Sequence, residues 1–147
     1  MIIQLLPDQI PRYWEEIRQS LVEAAPPLIH HDPEKYSNIL LSLLAGRMQC
    51  WISVDTEQEP HKVLGILTTT IVTDSCSGTK MLLLYSGYST GNVSHDYWLE
   101  GMEAFRKFAK AQGCNMVGVY TSVPYMKQKI KDLGATVEAF GYWTLED

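Results

Sequence analysis

Basic residues are in short supply in this chain: twelve Lys and Arg stand against seventeen Asp and Glu, a formal charge of −5 at neutral pH. Binding to nucleic acid requires clustered cations that neutralise phosphates. The densest basic stretch is Lys127, Lys129 and Lys131, which reads as the solvated face of a short helix. Nucleic acid is therefore excluded as an expected partner. Cysteine is as sparse: Cys50, Cys76 and Cys114 are an odd number with no CxxC pair, so neither a disulfide framework nor a zinc site is expected. They read as small buried hydrophobes of a reducing compartment. No apolar run approaches the roughly 20 residues that span a bilayer, so no membrane partner is expected. The opening Met1-Ile2-Ile3-Gln4 lacks the basic start and long apolar core of a signal peptide. Asn92-Val93-Ser94 matches a glycosylation sequon, a triplet that is common by chance. The expected setting is the cytoplasm.

What is present is an ordinary globular composition. The chain has 147 residues, 46% of them hydrophobic and 10% aromatic, enough for one domain with a core that needs no staple. Ile2 to Leu6 reads as a strand ended by Pro7. Ile10, Trp14, Ile17 and Leu21 then recur at helical spacing with charged residues between them, up to Pro26-Pro27. Asp32-Pro33-Glu34 reads as a cap, a first-position proline and an acidic first turn. It opens a helix with Tyr36, Ile39, Leu40, Leu43 and Leu44 on one stripe and Gly46 at its end. Three strands follow without a helix, Met48 to Val54, Lys62 to Thr73 and Met81 to Tyr88, and their short connections make them antiparallel neighbours.

After a loop, Ser89 to His95, the longest helix shows Trp98, Met102, Phe105, Phe108 and Ala109 on its buried face. Asn115 to Tyr120 is a fifth strand. A short helix from Pro124 carries Met126, Ile130 and Leu133. Thr136 to Leu145 reads as a last strand, with Gly141 a bulge within it. The expected order is β-α-α-β-β-β-α-β-α-β: one α/β domain over 1–147, with a mixed, mostly antiparallel central sheet and helices on both faces. Tyr13, Trp14, Trp51, Trp98 and Trp143 fit apolar stripes and are expected in the core.

Two constellations are discounted on geometry. Ser94-His95-Asp96 holds the groups of a hydrolase triad, but adjacent residues cannot align as nucleophile, base and orienter, so helix capping is the expected role. His30-His31-Asp32 has side chains that point apart and no further ligand pattern, so no metal is expected. Asp74 ends a strand at a turn, where capping explains it.

Three antiparallel strands ahead of a parallel strand-helix-strand unit, with Gly113-Cys114 before the fifth strand and Leu133-Gly134-Ala135 after the last helix, resemble the GNAT superfamily of N-acetyltransferases. The likeness covers nearly the whole chain. The segment Leu43 to Trp51 is also similar to small phage-encoded members. The resemblance implies a bulged fourth strand that splays from the fifth. The gap admits the pantetheine arm of acetyl-CoA against the backbone of Ser86 and Tyr88. It also implies a pyrophosphate loop at a helix N-terminus, where amides meet the anion.

The family pattern Arg/Gln-x-x-Gly-x-Gly/Ala falls here on Val93-Ser94-His95-Asp96-Tyr97-Trp98, which has none of its Arg or Gly. Tyr97 and Trp98 add bulk, and Asp96 would cap the helix and repel a diphosphate. A loop shifted to Gly91 would still cradle an anion, with Ser94 and His95 beside it; Lys80 and Arg106 are the nearest other cations. A family tyrosine four residues before Gly134 is replaced by Ile130. Tyr125 and Tyr120 are the candidate general acids, and both also read as packing residues. Tyr85, Tyr88 and Tyr97 flank the implied gap.

Two functions follow from the resemblance. One is transfer of acetyl from acetyl-CoA to a primary amine on a small molecule or protein. The other is a GNAT-like module that binds or assembles without transferase chemistry. An apolar last strand left as an open edge would pair with a second copy as a homodimer.

Overall fold

The computed structural model describes residues 1–24, 26–29, 32–57, 62–90 and 93–145. Strand β1 (Ile2–Leu5) runs into a 3-10 turn at Pro7–Gln9 and then α1 (Ile10–Ala24). The i, i+3, i+4 spacing of α1 buries Ile10, Ile17, Ser20 and Leu21 on one side. Helix α2 (Pro33–Leu44) begins as expected, with Asp32 accepting a 3.0 Å hydrogen bond from the Glu34 amide. Gly46 follows its end at φ +75, a left-handed conformation that glycine adopts without strain. Next come β2 (Met48–Asp55), β3 (Lys62–Thr73), β4 (Lys80–Ser89), α3 (His95–Ala111), β5 (Met116–Val119) and α4 (Pro124–Asp132).

The five strands lie in sequence order, antiparallel throughout except for the β4–β5 pair, which is parallel. The sheet is covered on both faces. On one, α1 and α2 bury Ile17, Leu21, Ile39 and Leu43 with Cys50, Ile52 and Ile66 of the strands. On the other, Phe105 and Ala109 of α3 meet Trp51, Leu82 and Leu84. Trp51 points opposite to its neighbours Cys50 and Ile52, as the two-residue period of a strand requires. Its ring meets Phe105 and Phe108 edge-on at 5.2 and 5.3 Å. Its Nε1–H donates to Thr69 Oγ1 at 3.0 Å, and Thr69 in turn donates to Gln49 Oε1 at 2.8 Å. A buried indole is satisfied by that relay.

Three expectations are corrected. No strand forms over 136–145 among the described residues, so the last strand and the bulge at Gly141 are absent. A strand exists only through a partner, and this segment instead runs past the end of β5, where the Tyr142 hydroxyl donates to the Pro27 carbonyl at 3.0 Å. Trp143 belongs to that segment and is 88% exposed rather than core. Cys50 and Cys114 are buried, whereas Cys76 sits exposed in the turn between β3 and β4. Asp74 accepts from the Ser77 amide (3.1 Å) and hydroxyl (2.5 Å) in the same turn, and these bonds hold its carboxyl below the usual carboxylate range. The turn role expected for it is the one it has.

Candidate active site

The site begins with a mismatch between β3 and β4. Thr68 opposes Ser86 while Thr69 opposes Leu84, so Tyr85 is one residue too many and forms a bulge. The parallel pairing of β4 with β5 stops at the same place. Its last pair is Leu84 with Val119, and the Tyr120 amide then donates to the Leu84 carbonyl at 3.0 Å. Beyond Leu84 the two strands part.

Which backbone groups face the opening follows from register. The Thr90 amide donates to the Leu64 carbonyl at 2.9 Å. Alternation along an antiparallel pair then turns the backbone of Ser86 and Tyr88 towards β3 and that of Gly87 towards the gap. The sequence placed Ser86 and Tyr88 there; the register turns the Gly87 backbone to the gap instead. The Ser86 side chain is occupied as well, buried at 2.6 Å from Thr68 Oγ1. Gly65 permits the close approach of β3 to β4, because a Cβ on it would lie 2.9 Å from the Tyr88 carbonyl oxygen.

Two cavities meet at the splay. The smaller, about 280 Å3, is lined by Gly87, Tyr88, Tyr97, Trp98 and Tyr125 among others. The larger, about 650 Å3, is lined by Pro27, Ile29, Tyr36, Phe140 and Tyr142 among others. Val119, Tyr120, Thr121, Pro26 and Pro27 line both. Of these five, Tyr120 carries the ionisable side chain at the divide. It belongs to a row of four rings: Tyr85 to Tyr120 at 6.3 Å, Tyr120 to Phe140 at 6.5 Å, and Phe140 to Tyr142 at 6.2 Å between centroids. Burial, and then the nearby Tyr120 and Tyr36, push the Tyr85 phenol above its ordinary pKa, so it stays protonated. Two buried polar atoms have no hydrogen-bond partner among the described residues, the Tyr36 hydroxyl and Trp98 Nε1. Each belongs to a residue that lines a cavity.

At the start of α3 the cap is Ser94, which accepts from the Tyr97 amide at 3.3 Å; Asp96 is exposed in the first turn and is not the cap. His95 Nδ1 lies 3.1 Å from Lys129 Nζ, and Lys129 sits 5.8 Å from the centre of the Trp98 ring. With an ammonium donating to it, that imidazole nitrogen is the accepting one. Sequence reasoning read Lys129 as part of a solvated helix face and missed this contact, because only the packing of α4 brings it to α3. Of the cations named from sequence, Lys80 is engaged at the far end of α3 with the Gln112 carbonyl at 2.5 Å. Arg106 is exposed in the last half of α3. Tyr125, in the first turn of α4, is 62% exposed. Gly91, Asn92, His30 and His31, and with them the shifted loop, the sequon and the histidine pair, lie outside the described residues. Among the described residues no group of three or more His, Cys, Asp or Glu is placed to hold a metal ion, and no helix is long and apolar enough to cross a membrane.

No family model and no curated protein matches the sequence. Solved structures do match over nearly their full length. One is the aminoglycoside acetyltransferase AAC(6')-Iy with a CoA-S-monomethyl-acetylneamine bisubstrate analogue (TM-score 0.70, 14% identity, 100% of this chain and 98% of that one). Another is a predicted acetyltransferase from Clostridium acetobutylicum with acetyl-CoA (0.67, 12%, 99% and 95%). A third is the ribosomal-protein-alanine N-acetyltransferase of Brucella melitensis biovar Abortus 2308 (0.63, 10%, 100% and 99%). Identity this low speaks for architecture alone. Bulge, splay and sheet order agree with it: this chain has the GNAT fold.

Proposed function

We propose that this protein is an N-acetyltransferase that moves an acetyl group from acetyl-CoA to a primary amine. The observation that carries the reading is the gap at the Tyr85 bulge, where β4 loses β5 and turns the Gly87 backbone towards a cavity of about 280 Å3. An amide-containing arm such as pantetheine adds to an exposed strand edge through backbone hydrogen bonds, as an extended peptide would. Solved neighbours of the same fold were crystallised with acetyl-CoA or a CoA-linked bisubstrate. At the phosphate end the chain departs from the family pattern. The α3 amides, His95 and Lys129 are the groups on hand for the diphosphate, and Asp96 opposes it.

In this reading the amine enters through the larger cavity. Its nitrogen bonds to the thioester carbonyl carbon as the carbon–sulfur bond breaks, a proton leaves the nitrogen, and the departing CoA thiolate takes up a proton. Tyr120 is the proton donor that the geometry favours over Tyr125, since it lines both cavities and stands where the strands part. Ser86, by contrast, holds β3 and β4 together through Thr68. The amine is carried by a small molecule or a protein. The assembly is a homodimer formed through the exposed C-terminal segment.

The direct test is thermal unfolding against acetyl-CoA. Saturation at a hundred times Kd adds about 2.7 kcal/mol, which for a domain of this size raises Tm by about 5–10 °C. No rise at millimolar acetyl-CoA removes the reading. Tyr120→Phe then separates chemistry from binding: kcat is expected to fall about a hundredfold with KM unchanged. An unchanged kcat assigns the proton to another group.

A further inference from the structure

We infer that the amine acceptor is an aromatic primary amine carrying a single positive charge, and that it binds in the larger cavity against the row of rings. The inference rests on the transferase reading for the role of the amine as acceptor, while the site itself stands on its own observations. One is composition. Four aromatic side chains, Tyr36, Tyr120, Phe140 and Tyr142, line a space of about 650 Å3 together with Ile29 and Val137. Flat rings with centroids 6.2 to 6.5 Å apart, Tyr120 stacked on Phe140 and Phe140 tilted against Tyr142, offer faces and edges to another flat ring, and their faces attract one ammonium.

Charge points the same way. A polycationic acceptor is recognised through a carboxylate near each ammonium, which is what sets it apart from a monocation. Among the described residues the larger cavity has one carboxylate, Glu138, and one ammonium, Lys127. The smaller has Glu23 and Glu100 among the described residues, and of these Glu100 is already paired with a cation. Glu23 accepts from Gln19 Nε2 at 3.1 Å; Glu100 accepts from the Ile2 amide at 3.0 Å and pairs with the chain's N-terminal ammonium at 3.5 Å. Among the described lining residues of the larger cavity Glu138 is the one carboxylate, and Lys127 shares the space, so the lining offers little net negative charge to a ligand with several ammonium groups. Although the chain carries a net charge of −5, little of that acidity is available to a ligand here.

A third observation supplies a polar anchor. The Tyr36 hydroxyl is buried and has no hydrogen-bond partner among the described residues, although buried hydroxyls are normally paired. A ring substituent that can accept or donate, such as an indole N–H or a phenol, would satisfy it. The expected acceptor is therefore an arylalkylamine with a polar group on its ring.

The test titrates the full chain with tryptamine, tyramine, butylamine, spermidine and neamine in the absence of acetyl-CoA, by calorimetry. Tryptamine and tyramine are expected to bind at least tenfold more tightly than the other three. Phe140→Ala, at a position 69% exposed and so safe for folding, is expected to weaken tryptamine about three- to tenfold. Tyr36→Phe is expected to weaken tyramine and leave butylamine unchanged. Spermidine or neamine binding as tightly as tryptamine overturns the inference. So does a Phe140→Ala chain that binds tryptamine as the parent does, or binding of none of the amines. A separate titration with acetyl-CoA judges the transferase reading. Tryptamine binding without acetyl-CoA binding upholds this site and overturns only the reaction assigned to it.

Discussion

Asp96 places an exposed carboxylate in the first turn of α3, where the helix dipole favours negative charge and where the proposed diphosphate would compete for the same amides. For the folded chain alone the charge is favourable; for a bound anion it is repulsive. An interaction of this kind is worth about 0.3–1 kcal/mol, so Asp96→Asn is expected to tighten acetyl-CoA about two- to fivefold. Lys129→Ala is expected to weaken it by a similar factor, and both effects should shrink as salt rises. Calorimetric titration at two ionic strengths checks this, and an unchanged Kd in both variants places the diphosphate away from α3. The cysteines give a second residue-level test. Cys50 is buried with no charged partner, and burial pushes its thiol up to about 12, so the thiolate is not formed near neutral pH. Cys76 is exposed and Cys114 is buried. In native protein one thiol should react promptly with a disulfide reagent and the other two only on unfolding. Prompt reaction of more than one thiol contradicts the packing on both faces of the sheet.

At the scale of elements, the β3–β4 pair determines whether the gap exists. Gly65→Ala directs a methyl at the Tyr88 carbonyl oxygen, 2.9 Å away, and a backbone atom in a paired strand cannot step aside as a flexible side chain does. A loss of about 1–3 kcal/mol is expected, read as a Tm lowered by about 3–10 °C, together with weaker acetyl-CoA binding. Retained Tm and affinity would mean that the pair yields easily and that its register does not define the site. This pair also marks how far the sequence could be read. The order of elements was legible because each has its own local signal, such as the stripe of α1 or the Asp32 cap of α2. The bulge was legible only as a family expectation, without a residue assigned to it, and the backbone groups named for the gap were those of Ser86 and Tyr88. One extra residue in register changes which backbone faces the opening, and nothing local to Tyr85 announces it. The place of Lys129 was illegible for a related reason. Its meeting with His95 spans 34 residues and depends on where α4 packs. The last strand failed because composition describes what a segment would do with a partner, and among the described residues no strand pairs with it.

For the whole molecule, the unmet partner becomes the argument. Residues 136–145 divide by side: Phe140 and Tyr142 line the larger cavity, whereas Trp143 is 88% and Leu145 91% exposed. A segment with strand composition and large apolar side chains in water is a ready template for pairing with another chain. Beside it, β5 is four residues long and, among the described residues, has a strand neighbour, β4, on one flank alone. A second copy offers both the strand partner and an apolar surface, and a two-fold arrangement closes on itself without leaving a new edge. The expectation is a homodimer, with a mass by light scattering of twice 16.7 kDa at high micromolar concentration. Trp143→Glu inserts a charge at the contact and is expected to shift the particle to the monomer mass. Because Trp143 does not line either cavity, that variant should still bind acetyl-CoA as the parent does. A parent chain that remains monomeric at high concentration would sink the dimer. A Trp143→Glu chain that still dimerises would instead move the contact away from the C-terminal segment, and the pairing of that segment would have to be given up.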